Sequence, residues 1–600
     1  MSEHWDGLSY LDALRPEPGW TVDFAVLSTY SADLVSLGAS LLALAGVDDE
    51  QGTGSKVDFA NAFEQLRGRV RVVLQAGRIA RPRQRLPFIT VFDRFIREVQ
   101  LDETHHSWHP KVALVRFSSV EASNVSWRLW IGSRNLTRDV SWDAGLLLTS
   151  DPSGIQTITG IVELGIELAN RAQLVGWTES RVRKELAAIR WSSPPGVRVE
   201  EVMFLTPDGS RSLPMAPAAL SRLTVVSPFL DNTVVSNLAN WAAHQHVLIS
   251  TTSEMARLAK RAGHSLNCFE LLSLDSPEPE ATSPQPIGIP VVSSSDAPES
   301  ELEGRGLHAK LLLAEHAKGR TLWMGSANAT GRGWNGGNYE VVARLTVDNT
   351  IAEGIYALET IARPWRLQDL PPDSAEDRDE EALEQARKIL AAEWPLVQKR
   401  TADGSCLLAK RPPPLAPEIL LEAAALGCDF VEWIPTKAEI QLRCPNEESE
   451  LVELRLCLRA NKKLGCEWLQ YAPFDPELPE DRDRRAIARF LDPRTFLAWL
   501  RVLLAEDDAG YGGGLWNDPI IDHGDATSGQ ATKWWAPTIE DALKAWTPNN
   551  KERLQTVDRH VRNYIDFIRT QVDLQSESDE MKALDSFRKA WAVIRKELLS

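Results

Sequence analysis

Cysteine is scarce in this chain. Six stand in 600 residues (Cys268, Cys406, Cys428, Cys444, Cys457 and Cys466), with no CxxC pair and no Cys/His spacing suited to a metal. That excludes a disulfide scaffold and a zinc module, and it fits a reducing compartment. Long apolar runs are also missing. The longest candidate, 34–47, is broken by Ser and Gly and reads as a buried helix, so no membrane association is expected. The first twenty residues hold neither a basic segment nor an apolar one, so no secretory signal is expected and a cytoplasmic location is. No glycine-rich loop leads into GK[ST]; Tyr511-Gly512-Gly513-Gly514 is a loop and nothing more, so ATP use within the chain is not expected. No helix-turn-helix or zinc finger follows residue 400. Positive charge is in deficit: the net charge of −18 excludes a chain that is basic all over, but not a local basic footprint for nucleic acid.

What is present is a repeat. His109-Pro110-Lys111 precedes the apolar run 112–115, then the apolar run 127–131, then Gly132-Ser133-Arg134-Asn135. The same order recurs in His308-Ala309-Lys310, the run 311–313, the run 321–324, and Gly325-Ser326-Ala327-Asn328. The two histidines stand 199 residues apart, as do the apolar stretches FAVLSTY (24–30) and LTVVSPF (223–229). Internal repeats decide architecture and are sought first. Each second half reads as two short buried strands joined by a turn at Lys318-Gly319-Arg320 or its counterpart. Such a hairpin brings His, Lys, Ser and Asn to one end of a sheet. His and Lys, two apart, share a face.

At these residues the chain resembles the phospholipase D superfamily, whose signature is HxK, four residues, Asp, then GSxN or GGxN, present twice. The resemblance covers roughly 20–365. One HxK is uninformative; two HxK…GSxN sets in register are specific. The acidic position five residues after each Lys holds Arg116 in the first copy and Glu315 in the second. Family members lacking this Asp are often nucleases rather than lipases. Asp143 and Glu340 follow the two GSxN turns, where the family often has a carboxylate that orients the histidine. The fold implied for that span is α/β, two tandem α/β/α repeats packed with pseudo-twofold symmetry; beyond it, short alternating runs over 406–471 predict a small β-rich domain and the patterning from about 476 a C-terminal helical domain.

The implied chemistry is cleavage of a phosphodiester without a metal or other cofactor. One neutral imidazole attacks phosphorus while a protonated one donates to the leaving oxygen. The unperturbed histidine pKa makes both states accessible. The resemblance assigns His109, Lys111, Asn135, His308, Lys310 and Asn328 as catalytic, with His109 the expected nucleophile through a phosphohistidine. Ser133, Ser326, Asp143, Glu340 and Glu315 would support them. The lysines and asparagines would hold the non-bridging oxygens. For an isolated His or Lys at a strand end, a plain surface position is the better reading. Eight matched residues in two copies make that reading untenable here. The pair His244 and His246 has no ligand companion and is rejected as a metal site. His105 and His106 read as a polar loop.

The expected boundaries are 1–192 and 193–365 for the two repeats, 366–475 for a linker helix and β-rich domain, and 476–600 for the helical domain. A closing helix over 160–189 and a junction at Pro194-Pro195-Gly196 end the first repeat. The Pro-, Ser- and Glu-rich stretch 274–304 reads as a loop that either covers the site or has no role. Helical stripes at Leu554, Val557, Val561, Ile565, Ile568 and at Leu584, Phe587, Trp591, Ile594, Leu598 read as packing seams. Arg67, Arg69, Arg71, Arg78, Arg81, Arg83, Arg85, Arg94 and Arg97 form a basic cluster, read either as a solvated face or as phosphate contacts. Arg134, Arg138 and Arg332 beside the GSxN turns are the stronger substrate-binding candidates. Nucleic acid, DNA first, is the expected partner, in a bacterial defence or restriction system with a helicase or methylase encoded nearby. A lipid phosphodiesterase or phosphatidyltransferase, and a non-catalytic scaffold, are the alternatives.

Overall fold

Two strands set the plan of the molecule. Trp20–Ser28 and Leu220–Val226 end in apolar runs buried on both faces, as central strands must be. Trp20–Ser28 pairs parallel with Val70–Gln75 and antiparallel with Val112–Ser119. Leu220–Val226 pairs parallel with Gln245–Ser250 and antiparallel with Leu311–His316. The computed structural model describes residues 9–47, 56–82, 89–119, 124–138, 141–154, 156–209, 212–275, 306–366, 376–443, 449–462, 464–504, 537, 551–571 and 579–599. The stretch 276–304, Arg83, Arg85, His523 and the loop 511–514 lie outside the described residues.

From each central strand the sheets extend in one order. The first runs Gly145–Ser150, Val125–Gly132, Val112–Ser119, Trp20–Ser28, Val70–Gln75, Ile96–Val99. The second runs Asn338–Val347, Gly319–Gly325, Leu311–His316, Leu220–Val226, Gln245–Ser250, Glu270–Ser273. Parallel and antiparallel pairings match position by position. One detail of the repeat is corrected. Val112 faces Ser28 while Leu311 faces Val226, so the first strands align at an offset of 198, not 199. Thr29, not Ser28, is the counterpart of Ser227. Strands buried on both faces can slide by one residue without changing their apolar pattern, which is why the sequence could not fix this register.

The two sheets share a core. Leu114, Leu164 and Leu168 belong to the same buried cluster as Val226, Leu313 and Val341. Gly160 makes the close approach possible: its φ is +92°, and a Cβ there would lie 1.8 Å from the carbonyl oxygen of Val202. The expected helix over 160–189 is two helices, Ile161–Ala172 and Glu179–Ala188. Gln173 adopts a left-handed conformation that ends the first, and the Thr178 hydroxyl accepts the Arg181 N–H to start the second.

The C-terminal region is strand-rich, then helical, and it is tied into the first sheet's layer. Gly465–Tyr471 pairs with Ile79–Ala80, so four strands of 419–471 and two short N-terminal strands, Ala32–Asp33 and Ile79–Ala80, make one six-stranded sheet. Helices Arg482–Phe490, Pro493–Leu504, Lys551–Gln571 and Asp579–Leu598 share one hydrophobic cluster with Leu34–Ala45 and Lys56–Leu66. The stripe Leu554, Val557, Val561, Ile565, Ile568 is buried in it, with Leu584, Phe587 and Trp591. No helix among the described residues is long and apolar enough to cross a membrane.

Candidate active site

The two HxK segments lead into the central strands Val112–Ser119 and Leu311–His316, and each is held by the other half. The His109 N–H donates to the Tyr339 carbonyl at 3.1 Å, and the His308 N–H donates to the Trp142 carbonyl at 2.9 Å. Short parallel pairings (Ser107 with Asn338, Trp142 with Leu307) frame these contacts. Tyr339 and Trp142 therefore hold equivalent places, as do the residues after them, Glu340 and Asp143. The GSxN turns are matched as well. Ser133 Oγ accepts the Ala144 N–H at 2.9 Å, and Ser326 Oγ accepts the Val341 N–H at 2.9 Å. Gly325 is required by this turn, because its φ is +151° and a Cβ would lie 2.1 Å from the Val341 carbonyl oxygen.

His109, Lys111, His308 and Lys310 are all buried, at 5%, 2%, 2% and 2% exposure. Glu340, with no exposed surface, lies 2.9 Å from His109 Nδ1. Lys111 Nζ lies 2.9 Å from His109 Nε2. A carboxylate only accepts and an ammonium only donates, so the network assigns the proton to Nδ1 and the lone pair to Nε2. Glu340 is itself held by the Ser326 hydroxyl and by Asn338 Nδ2 at 3.2 Å. Lys310 Nζ donates to the Ser133 carbonyl of the other half at 3.3 Å and to the His308 carbonyl at 2.9 Å. Asn135 and Asn328 are buried beside their turns, and Thr29 Oγ1 donates to Asn135 Oδ1 at 3.4 Å. The Ser133 and Ser326 hydroxyls brace the backbone of their turns and, for Ser326, Glu340.

Other expected residues fall elsewhere. Glu315 stands at the far end of its strand from Lys310, about 16 Å away at the usual rise, and pairs with Arg320 at 2.8 Å. Arg116, at the matching place, pairs with Asp23 and Glu185. The five-residue spacing puts this position outside the site. Arg332 reaches the first half, donating to the Glu103 carbonyl at 2.9 Å and Ser107 Oγ at 3.1 Å. Arg134 donates to the Thr137 carbonyl at 2.8 Å and lies 3.4 Å from Asp143. Arg138 is exposed, with its backbone N–H on Asp33. Within the basic cluster Arg69 is exposed, whereas three other members are drawn into ion pairs. Arg78 is buried against Glu103 and Glu384, Arg81 pairs with Glu453 and Glu467, and Arg94 pairs with Asp483. Acidic partners from the distant C-terminal half draw these arginines inward. His105 and His106 are exposed. His246 Nε2 meets the Trp241 carbonyl at 2.9 Å. Among the described residues, no three His, Cys, Asp or Glu side chains are grouped to hold a metal ion.

Several residues here escaped the sequence reading. Tyr30 packs edge-on against the His109 ring, centroids 5.0 Å apart, and its hydroxyl donates to Glu103 at 2.8 Å. Glu103 lies buried between Arg78 (2.6 Å) and Arg387 (3.0 Å), and Arg387 also holds Glu384 at 2.8 Å. Burial alone would raise the Glu103 carboxyl, but Arg387 and Arg78 beside it outweigh that and hold it down at about 2. Burial pushes the Tyr30 hydroxyl well above its ordinary range. Arg387 and Glu384 come from helix Glu376–Glu393, beyond the repeats. A cavity of about 390 Å³ opens beside His109, lined among others by Tyr30, Phe229, Arg261, Asn328 and Arg332.

No family model and no curated protein matches the chain. Among solved structures similar to it is yeast tyrosyl-DNA phosphodiesterase, at 12% identity and a TM-score of 0.33, covering 59% of this chain and 88% of that one. Another is polyphosphate kinase from Porphyromonas gingivalis, at 12% identity and a TM-score of 0.29, covering 63% of this chain and 50% of that one.

Proposed function

We propose that this chain is a phosphodiesterase of the phospholipase D type that cleaves DNA without a metal. The observation that carries this reading is the reciprocal assembly of the two HxK segments, each with its histidine bonded to the other half and Glu340 on His109 Nδ1. His109, with its lone pair at Nε2, is the nucleophile. It forms a P–N bond as the P–O bond to the leaving strand breaks, and His308 gives that oxygen its proton. Water then attacks phosphorus, His308 takes the water's proton, and the P–N bond breaks. Lys111 and Lys310 neutralise the non-bridging oxygens, assisted by Asn135 and Asn328. Glu340 favours the reactive tautomer and stabilises the charge that builds on the ring. On this reading the chain acts as a nuclease in bacterial defence or restriction, with sequence choice supplied by a helicase, methylase or other partner.

The test is cleavage of labelled single- and double-stranded DNA in EDTA, by the wild type and by His109→Ala and His308→Ala. Cleavage by the wild type in EDTA, lost in both variants, supports the reading. Trapping of acid-labile, base-stable phosphate on the wild type and on His308→Ala, but not on His109→Ala, assigns the nucleophile. Cleavage that persists in both variants, or that EDTA abolishes, rejects it.

A further inference from the structure

The HxK…GSxN sets are not all that the two halves repeat. Thr29 and Asp33 follow the central strand Trp20–Ser28, and Ser227 and Asp231 follow the central strand Leu220–Val226. Thr29 and Ser227 stand 198 residues apart, as do Asp33 and Asp231. The Thr29 hydroxyl accepts the Leu136 N–H at 3.0 Å, and the Ser227 hydroxyl accepts the Ala329 N–H at 2.9 Å. Leu136 and Ala329 come directly after Asn135 and Asn328. Each hydroxyl in turn donates at 2.7 Å to the carbonyl two residues on, that of Ser31 or Phe229. The Asp33 carboxylate accepts the Arg138 N–H at 2.8 Å, and the Asp231 carboxylate accepts the Gly331 N–H. These two donors again hold one place, three residues after each Asn. The Asp33 and Asp231 N–H groups donate to the Leu136 and Ala329 carbonyls at 2.9 and 3.1 Å. Each Asp also caps a helix, Leu34–Ala45 or Asn232–Ala239, which ties the turn to a rigid element.

The residues between do not match. Tyr30, Ser31 and Ala32 in one half stand against Pro228, Phe229 and Leu230 in the other, so what recurs is the hydroxyl and the carboxylate. Thr29 and Ser227 are buried, at 3% and 1% exposure, and the N–H that each holds would be costly to leave unpaired there. Each Asn thus sits between two latches. The Ser133 or Ser326 hydroxyl acts two residues before it, and the Thr29 or Ser227 hydroxyl holds the N–H one residue after it. An amide that serves a phosphate oxygen is effective when its place is set in advance, because no reorganisation is then needed at the moment of reaction. We propose that Thr29 with Asp33, and Ser227 with Asp231, are positioning residues that fix Asn135 and Asn328 at the cleft. The inference rests on the phosphodiesterase reading for the work of the two asparagines, and it adds a second repeated set on which that work depends.

A positioning residue acts through the residue it places, so coupling is measured as well as loss. On the full chain, kcat and KM are read with labelled DNA in EDTA. Thr29→Val keeps the shape and removes the hydroxyl, and it is expected to lower kcat about 10- to 100-fold, the cost of a small misplacement in a site. KM should stay within about threefold, and Thr29→Ser, which restores the hydroxyl, should keep kcat within about threefold of wild type. Ser227→Ala and Ser227→Thr should form the same pair. In an Asn135→Ala background, Thr29→Val should cost less than about threefold more, since no Asn is left to place. Thr178→Ala removes a helix cap outside the site, and it should lower the melting temperature with kcat unchanged. An unchanged kcat in both Thr29→Val and Ser227→Ala, a loss that Thr29→Ser shares, or a loss fully additive with Asn135→Ala overturns the inference. A wild type that cleaves no DNA rejects the nuclease reading instead. Tungstate, a tetrahedral oxyanion, then replaces the substrate in calorimetric titration. Affinity lost in Thr29→Val and restored in Thr29→Ser upholds the positioning role; equal affinities, or no binding, overturn it.

Discussion

A carboxylate on Nδ1 and a lysine on Nε2 leave the His109 ring one neutral tautomer, so the residue scale has a sharp consequence at Glu340. Glu340→Gln keeps the shape but brings an amide N–H that pairs with an unprotonated Nδ1 and moves the proton to Nε2. A substitution that inverts a catalytic tautomer lowers kcat by about 10²–10⁴-fold in comparable hydrogen-bonded sites. Steady-state kinetics on DNA, with circular dichroism to confirm the fold, checks this; kcat within threefold of wild type would remove Glu340 from the mechanism. Glu103 makes a stability claim. Its carboxyl is held at about 2, below its ordinary 4.5. The stabilisation is therefore complete above about pH 5 and is lost as pH falls toward 2. Glu103→Gln should cost roughly 3–5 kcal/mol at pH 7, since Arg78 and Arg387 lose a buried partner. Urea melts at pH 7, 5 and 3 should show the gap to wild type narrowing at the acid end. The histidines, lysines and asparagines were legible because chemistry repeats them in sequence. Tyr30, Glu103 and Arg387 were not, because their meeting depends on segments about 280 residues apart in the chain.

At the scale of elements, the turn after each long hairpin is what sets Ser and Asn beside the HxK strands. Gly325→Ala puts a methyl 2.1 Å from the Val341 carbonyl oxygen at a φ of +151°. Backbone must move, at a cost of about 1–3 kcal/mol for the strained residue alone, and the movement carries Ser326 away from Glu340 and Asn328 away from the cleft. The expected result is a melting temperature lower by several degrees with a larger loss in kcat than the stability change explains. A variant that melts lower but keeps full kcat would show the turn to be structural only. Strands flanked by turns were readable from apolar runs and glycines. The break in the 160–189 region was not, because the Ile161–Ala172 and Glu179–Ala188 segments are each helical by composition, and only a left-handed Gln173 and the Thr178 cap separate them. The one-residue slip of the first strand escaped for a related reason: a strand apolar on both faces carries no register.

At the scale of the whole molecule, the chain past residue 366 is bound into the first half by charge and by packing. Trp499 Nε1 donates to Asn61 at 2.8 Å, and the Tyr564 hydroxyl donates to Glu64 at 2.8 Å. Arg482 holds the buried Asp93 at 2.8 Å. Phe59, Phe63, Phe496, Trp499, Tyr564 and Trp591 lie in one buried cluster. Composition marked the change from strands to helices near residue 476, but nothing in a single sequence says that a helical segment covers a face made 400 residues earlier. A chain cut to residues 1–366 would expose that face, at about 1.5–3 kcal/mol for each large side chain, and would leave Arg78 with one carboxylate fewer and Asp93 without Arg482. Several such losses equal the whole margin of about 5–15 kcal/mol that holds a fold together. The truncated chain should therefore fail to give a cooperative melt and should be cut by trypsin within its first 100 residues under conditions that spare the full chain. A soluble 1–366 fragment with a cooperative melt and cleavage activity would show instead that the two repeats stand alone and that the C-terminal half acts only on what they bind.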